Sequence, residues 1–593
     1  MRLFPAIQQS PPQFAETSRR INLIMVGLLG LALLSLVLEY GFYFSAPYEA
    51  YFQAVDIVIL FFFVLQQAYK LLVCPNRRAH IHERKLEYIL TSGLLLALAA
   101  YPLLTDFYHE MAQRWRMGSL TSLYVLIAQS VIIFDILSSA VRFSRKMLGR
   151  RVQPARLFIG SFVFVILLGT LALLLPRATT GGISVLDALF TSTSAVCVTG
   201  LVVVDTASAF TPFGKIILLL LIQVGGLGLM TFTTFFTLFS SKLSIKERVM
   251  MQEMLSRESL GQVRNTLLSI IAVTLLIEAA GAILLYHSWG DVAFASERTK
   301  IFSSVFHSVS AFCNAGFSLF SDNLAVSGAA MNVQLNLTIA SLIILGGLGF
   351  IVITNIVGLR PLGNPRSRLR RRLTAHTRLV LITSGILILA GTVFFFILEF
   401  HTSLEGLTLS EKVLASFFQS VSTRTAGFNT TDIGAMAVPA TLIFLMLMFI
   451  GASPGSTGGG IKTTTAALVF LSAVNYVRGR SSVEIGRRRI PPATAERASA
   501  ALLFGVATVA LSVFLLSLTE SFNLIDIVFE CVSAAATVGL SRGITASLGD
   551  FSKSVLIFTM LIGRIGTLTF MMAVTRRAIL NRYDYPTEQI IVG

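Results

Sequence analysis

One short stretch recurs four times in this chain, and each copy closes on a glycine. The copies read Cys197-Val198-Thr199-Gly200-Leu201, Cys313-Asn314-Ala315-Gly316-Phe317, Arg424-Thr425-Ala426-Gly427-Phe428 and Ala536-Thr537-Val538-Gly539-Leu540. The glycines stand 116, 111 and 112 residues apart, and ten positions before each stands a phenylalanine: Phe190, Phe306, Phe417 and Phe529. An acid precedes the first and last glycines by thirteen positions, Asp187 and Asp526. Matched spacing marks an internal repeat, and four copies of one unit can surround a single axis.

Composition limits what such a repeat can build. Of 593 residues, 54% are hydrophobic and only 13% charged, with a mean hydropathy of +0.77. That is too little charge to keep a soluble surface of this size wet. Apolar runs long enough to cross a bilayer recur along the whole length, so the expected fold is an all-α polytopic membrane protein. The first run, 21–38, exceeds the apolar stretch of a cleavable leader and lacks a small-residue cleavage site, so it is read as a retained span. The net charge of +17 does not indicate nucleic acid, because the basic residues cluster in short loops where cytoplasmic retention accounts for them. Cys74, Cys197, Cys313 and Cys531 lack metal-ligand spacing and read as buried small residues; His80 and His82 sit in a basic loop and read as solvated.

In chain order, 1–20 reads as a cytoplasmic N-terminus and 21–155 as an extension with about four spans, near 21–45, 52–73, 88–104 and 120–141. The basic loops 77–85 and 142–156 both belong on the cytoplasmic side, which puts the N-terminus there too. Charges in the second loop begin where the apolar run stops, so they read as an anchor rather than a voltage sensor. Four repeats follow, at 156–250, 251–365, 366–490 and 491–593. Each is expected to be span, re-entrant segment, span: 157–175 and 216–238, 265–286 and 333–357, 379–400 and 440–472, 498–518 and 555–574. That makes twelve full spans. The basic linkers between repeats all fall on the inner side, so the glycine turns enter from outside.

The re-entrant stretch Asp187–Val198 is apolar, rich in small residues and too short to cross the bilayer. A half-length helix satisfies its own backbone; the turn beyond it can exist at membrane depth only where it lines a cavity or is buried in protein. Carbonyls of such a turn can replace the water shell of a cation. Glycine permits the left-handed backbone and the close approach that this needs. The residues beside the glycines vary (Val-Thr, Asn-Ala, Thr-Ala, Thr-Val), which suits a site built from main chain. The competing reading, that each glycine only caps a short helix, has to explain four matched copies.

The second span of the third repeat is interrupted by Gly451-Ala452-Ser453-Pro454-Gly455-Ser456-Thr457-Gly458-Gly459-Gly460-Ile461-Lys462-Thr463, which cannot hold a straight helix. The other repeats carry shorter breaks: Gly225-Gly226-Leu227-Gly228, Gly346-Gly347-Leu348-Gly349 and Gly563-Arg564-Ile565-Gly566. A nucleotide P-loop is excluded because Ile461, not glycine, precedes Lys462, and the Gly-Gly-Leu-Gly stretches lack the third glycine of a dinucleotide fingerprint. A packing kink and a moving segment both remain open. Arg564 lies within an apolar span, where a charge costs about 2.5–3.5 kcal/mol, so it must face water or a partner.

With these features, residues 155–593 resemble the bacterial Ktr/Trk potassium-transporter family, related to fungal and plant Trk/HKT proteins. The resemblance implies a pseudo-fourfold filter of Val198, Thr199, Gly200, Leu201, Asn314, Ala315, Gly316, Phe317, Thr425, Ala426, Gly427, Phe428, Thr537, Val538, Gly539 and Leu540. Potassium would sit at the backbone carbonyls of Val198, Thr199, Asn314, Ala315, Thr425, Ala426, Thr537 and Val538. Glycine in the first copy, rather than another residue, points to potassium over sodium. The resemblance also implies an intramembrane gate around Ser453–Thr463, with Gly451 and Ala452 leading into it. Its residues are Pro454, Gly455, Ser456, Thr457, Gly458, Gly459, Gly460 and Lys462, with Arg564 as a cationic obstacle beneath the filter.

Further implications are a homodimer with 585–593 in its interface, and a cytosolic RCK-type nucleotide-binding regulatory subunit, for which 366–372 is a plausible contact surface. K+ is the transported ion, Na+ coupling is left open, no organic cofactor is expected on the chain, and the location is the plasma membrane. An inside-negative potential supplies about 2.3 kcal/mol per charge per 100 mV, enough for about fifty-fold accumulation with no coupled ion. Among rivals, a sodium-coupled secondary transporter with inverted repeats is disfavoured by two spans per repeat and linkers kept on one side. An enzyme is disfavoured because no convergent cluster of catalytic groups lies at membrane depth. A channel-like subunit of an ATP-driven potassium pump shares the fourfold plan.

Overall fold

A computed structural model of the chain describes residues 38, 41, 42, 51, 154–239, 263–290, 292–326, 328–357, 373–480, 483–485 and 488–574. The spans expected over 21–141, Cys74, the loop 77–85, the linkers 142–151 and 360–372, and the tail 585–593 lie outside these residues, apart from the isolated positions named. The chain divides into two compact units, Met1–Arg151 with Leu175–Arg177, and Val152–Leu174 with Ala178–Gly593.

The second unit carries the four glycine turns. Its elements begin with α1 (Pro154–Leu173), α2 (Val185–Val196), α3 (Thr206–Ala209) and α4 (Pro212–Phe239). Next come α5 (Val263–Ser288), α6 (Glu297–Cys313), α7 (Val333–Leu348) and α8 (Phe350–Val357). α9 (Ala375–Leu398), α10 (Leu409–Ser422), α11 (Val438–Phe449) and α12 (Thr463–Val477) follow. A hairpin of two-residue strands, β1 (Glu484–Ile485) and β2 (Arg488–Arg489), pairs antiparallel and leads into α13 (Pro492–Ser517). The order closes with α14 (Leu524–Ala536), α15 (Asp550–Ile565) and α16 (Thr567–Val574).

Four of these, α2, α6, α10 and α14, are the short helices that end at the glycine turns. Each has an acid in its first turn, Asp187, Glu297, Glu411 and Asp526, which favours the positive end of the helix dipole. Ser184, Ser296 and Thr408 cap the first three, Thr408 in a reciprocal capping box with Glu411. The dipole's negative end then faces the turn.

Inside a bilayer there is no hydrophobic gain from helix association, so packing relies on close approach and hydrogen bonds. The chain supplies both at one recurring place. Gly169, Gly281 and Gly391 on the first spans leave no room for a methyl against Ser192, Ser308 and Ser420 of the short helices. Those serines donate to the carbonyls of Ile166, Glu278 and Ile388 at 2.7, 2.6 and 2.7 Å. The opposite faces of the long helices remain apolar and exposed, as at Leu171, Leu276, Leu389 and Leu503.

Among the described residues, Leu268–Ser288, Ala375–Leu398 and Pro492–Ser517 are each long and apolar enough alone to cross a membrane. At the glycine breaks within 333–357 and 555–574 the chain turns sharply. α7 and α8 meet at 99°, α15 and α16 at 100°. The corners are Gly349 (φ 86°) and Gly566 (φ 90°), in backbone territory that side chains rarely adopt. α4 runs unbroken through Gly225–Gly228, so the same glycine-rich motif does not bend every span.

Candidate functional site

The four glycine turns share one backbone conformation. Gly200, Gly316, Gly427 and Gly539 have φ of 92°, 68°, 80° and 93°, and the residues two positions earlier, Val198, Asn314, Thr425 and Thr537, have φ of 55°, 59°, 76° and 50°. Left-handed backbone costs a non-glycine residue about 1–2 kcal/mol, and three of these four are β-branched, for which it is a genuine outlier. Strain repeated at equivalent positions marks a conformation imposed by the surroundings.

The turns close a ring. A Cβ on Gly200 would strike the carbonyl of Ala315, one on Gly316 that of Ala426 (2.6 Å), one on Gly427 that of Val538 (2.5 Å), and one on Gly539 that of Thr199. Each glycine therefore lies against the next copy, and the last returns to the first. The four carbonyls in question belong to the residues just before the glycines, one from each copy.

A serine braces each turn. Ser194 and Ser533 accept from the N–H of Gly200 and Gly539, both at 3.0 Å. Ser310 instead donates to the carbonyl of Phe317 at 2.8 Å, and Ser422 to that of Phe428. These serines were not singled out by sequence, although a signal exists. Each follows a buried phenylalanine by four positions: Phe190, Phe306, Phe418 and Phe529. The third copy is one residue shorter between helix and glycine, so Phe418 rather than Phe417 is the counterpart. Phe418 is fully buried and Phe417 only partly. The backbone shows the same offset: Ala426 N–H bonds to Ser422 O, four residues back, whereas Thr199, Ala315 and Val538 reach back five.

Outside the ring, each junction has its own clasp. Ser321 donates to Asp205 at 2.8 Å between the first and second copies, and Leu324 N–H to Asn429 O at 3.1 Å between the second and third. Arg542 reaches Gly434 O and Thr441 Oγ1, both at 3.0 Å, between the third and fourth. Lys553 pairs with Asp187 at 2.7 Å and joins the fourth to the first. Asp205 lies in the loop that leads into α3; burial raises its pKa, but hydrogen bonds from Ser208, Ser321 and the Ala207 and Ser208 N–H groups outweigh this and hold it below the usual aspartate value.

On the other side of the ring lies the interrupted stretch 450–462. Its Gly458 has no room for a methyl against the Thr425 side chain, nor has Gly459 against Thr537. The segment borrows partners from the other repeats: Ser453 N–H and Thr457 N–H bond to Gly347 O and Gly346 O at 3.0 and 3.2 Å, and Thr457 Oγ1 donates to Phe312 O at 3.0 Å. Phe350 N–H bonds to Gly455 O at 3.0 Å, and a Cβ at the Gly349 corner would lie 2.7 Å from Pro454 O. The bend in the second repeat is therefore where the stretch docks.

Three cations hold this region, each donating to at least one of its own carbonyls. Arg564, 1% exposed, donates from Nη1 to Thr457 O and from Nη2 to Gly225 O at 2.5 Å. Lys462 Nζ donates to Gly458 O at 2.7 Å. Arg424, not singled out beforehand, donates to Ser384 O, Ser384 Oγ and Gly451 O at 3.3–3.4 Å. The Nε atoms of Arg424 and Arg564 have no protein partner, nor have the hydroxyls of Thr199 and Thr537 beside the ring. The Asn314 amide is satisfied with its nitrogen toward Ala311 O and Ile343 O and its oxygen accepting from Thr425 Oγ1. Cys197, Cys313 and Cys531 are buried free thiols.

Known proteins share this plan. Residues 125–582 match the family model TrkH, described as a cation transport protein. The chain is 39% identical to the Ktr system potassium uptake protein B of Vibrio alginolyticus over 74% of this chain and 94% of the relative. It is 37% identical to the protein of the same name from Bacillus subtilis, over 75% and 97%. The potassium/sodium uptake protein NtpJ of Enterococcus hirae is 34% identical over 76% and 99%. The solved potassium transporter TrkH from Vibrio parahaemolyticus superposes with a TM-score of 0.59 at 18% identity, covering 82% of this chain and 98% of that one. The chain is an all-helical membrane protein in plan and belongs to the TrkH family of cation transport proteins.

Proposed function

We propose that this chain carries potassium inward through the axis of the glycine ring, the carbonyls of Val198, Thr199, Asn314, Ala315, Thr425, Ala426, Thr537 and Val538 replacing the ion's water. One observation carries the reading: each glycine abuts the carbonyl of the next copy, so four equivalent carbonyls close on one another. Helix C-termini directed at the turns favour a cation there. The relatives' names, potassium uptake proteins, agree with the choice of ion.

The stretch Ser453–Thr463, with Gly451 and Ala452 ahead of it, acts as the gate. Arg564 and Lys462 hold it across the path and add positive charge there. The repeats are bounded near 156–250, 251–365, 366–490 and 491–593, behind an N-terminal extension at 21–155. By family resemblance the protein works as a homodimer in the plasma membrane, N-terminus inside, with a cytosolic RCK-type regulatory subunit, and it performs no catalysis.

The test is uptake into proteoliposomes at a set inside-negative potential, comparing wild type with Gly200→Ser, with and without sodium. Potassium uptake that discriminates against sodium, and loses that discrimination in the variant, supports the filter. Undiminished selectivity in the variant would reduce the turns to helix caps. A second reading, joint transport of sodium, is favoured by the likeness to a potassium/sodium uptake protein. It requires that sodium move with potassium in the same assay.

A further inference from the structure

Among the described residues, five other than glycine have positive φ, and four of them are the ring positions Val198, Asn314, Thr425 and Thr537. The fifth is Asn323, at φ 57° in the loop after the second turn. Its Nδ2 donates to Gly316 O at 3.4 Å and to Gly427 O at 3.3 Å. One amide therefore bridges the glycine carbonyls of the second and third copies.

The loop holds it there. Asn323 N–H bonds to Phe320 O at 3.2 Å, and Ser318 Oγ donates to Asn323 O at 3.1 Å. Ser318 is itself within 3.1 Å of Nε2 of the buried His307. The next residue, Leu324, bonds across to Asn429 of the third copy. Nothing among the described residues repeats this contact at the glycines of the first and fourth copies.

The ring thus divides into two halves. In the second and third copies phenylalanine follows the glycine, the bracing serine donates to that phenylalanine's carbonyl, and Asn323 ties the two glycine carbonyls together. In the first and fourth copies leucine follows the glycine, and the serine accepts from the glycine N–H instead.

From this geometry we infer that Asn323 is a specificity-determining residue of the ion path, a reading that rests on the filter assignment above. The two glycine carbonyls adjoin those of Ala315 and Ala426 in the proposed filter and extend it by one layer; a carbonyl oxygen has two lone pairs, so one that accepts from the amide keeps one for a cation. The amide draws electron density from both carbonyls and fixes their separation. A weaker field and a fixed width both disfavour the smaller, more strongly hydrated sodium ion relative to potassium. Without the amide, the two carbonyls can close on sodium.

The experiment compares potassium and sodium flux in proteoliposomes for the full-length wild type, Asn323→Gly, Asn323→Asp and Gly427→Ser. Glycine keeps the positive φ and removes the amide; aspartate keeps the shape and removes the donors, so it serves if the glycine variant fails to fold. Loss of two hydrogen bonds of ordinary net strength predicts a fall in potassium-over-sodium preference of about three- to tenfold, through a rise in sodium flux. If Gly427→Ser lowers the preference and neither Asn323 variant does, this inference is overturned and the filter stands. If Gly427→Ser also leaves it intact, the filter assignment falls first.

Discussion

The glycine ring and the stretch beneath it touch one another, yet they are held together by opposite means. The ring is made four times over from main chain, each turn braced by a serine of its own helix and blocked against its neighbour. The stretch 450–462 exists once, and its partners are carbonyls and N–H groups lent by other repeats, fastened by Arg424, Lys462 and Arg564. On the proposed reading, the filter, which presents the same carbonyls in every state, is over-determined, and the gate, which moves, is held by a few separable hydrogen bonds.

The hardest way to break this contrast is to crowd the ring. Gly539→Ala would drive a methyl into Thr199 O and impose φ 93° on a side chain. Overpacking at about 1–3 kcal/mol and left-handed strain at about 1–2 kcal/mol should together lower the melting temperature in detergent and abolish selective uptake. A variant of wild-type stability and selectivity would show that the ring is not tightly closed.

The stretch should respond the other way, by gain of flux. Arg564→Ala removes both braces and a buried charge; at an effective dielectric near 20, a unit charge about 6 Å from a passing ion costs roughly 3 kcal/mol. Rubidium flux should therefore rise by about ten- to a hundredfold, and unchanged or reduced flux would exclude an obstructing arginine. Lys462→Met removes a single bond to Gly458 O and, on the proposed reading, a second positive charge; its flux should rise about two- to tenfold, less than for Arg564→Ala, which loses two bonds as well as its charge.

The outer clasps should give the smallest effects. Asp205 is held below the usual aspartate value, so its contribution is complete above the unfolded pKa of about 3.9 and disappears as pH falls through the lower folded value. Asp205→Asn should cost less than about 1 kcal/mol at neutral pH, because the group is solvent-screened. It should also lose that acid-dependent part of thermal stability. A variant that kept wild-type dependence on pH would remove Asp205 from the clasp.

What the sequence made legible follows from the same contrast. The glycines could be read because a backbone-built site leaves its requirement at fixed spacing, and the interrupted stretch could be read because five glycines and a proline cannot continue a helix. Alignment on the glycines hid the one-residue offset of the third copy. Counting back from the glycine points to Phe417 instead of Phe418 and leaves the serine four positions beyond each true phenylalanine unmarked. The glycine motif alone does not set the bends at Gly349 and Gly566, since the same Gly-Gly-Leu-Gly at 225–228 lies within the unbroken helix α4. What separates Gly349 is a partner, Pro454–Gly455, a hundred residues away. Arg424 and Asn323 leave no sequence signal for a similar reason: each makes its contacts once, with no repeat to mark it.

One further consequence concerns synthesis. Gly539 closes the ring against Thr199, and Arg564, 25 residues later, reaches back to Gly225 and to Thr457 of the interrupted stretch. A chain still emerging from the ribosome has at most three quarters of a ring, and so no encircled axis. When the last quarter inserts, it brings Arg564 in the same segment that closes the ring. If the axis is the ion path proposed above, that order leaves no interval in which the ring is closed and unblocked.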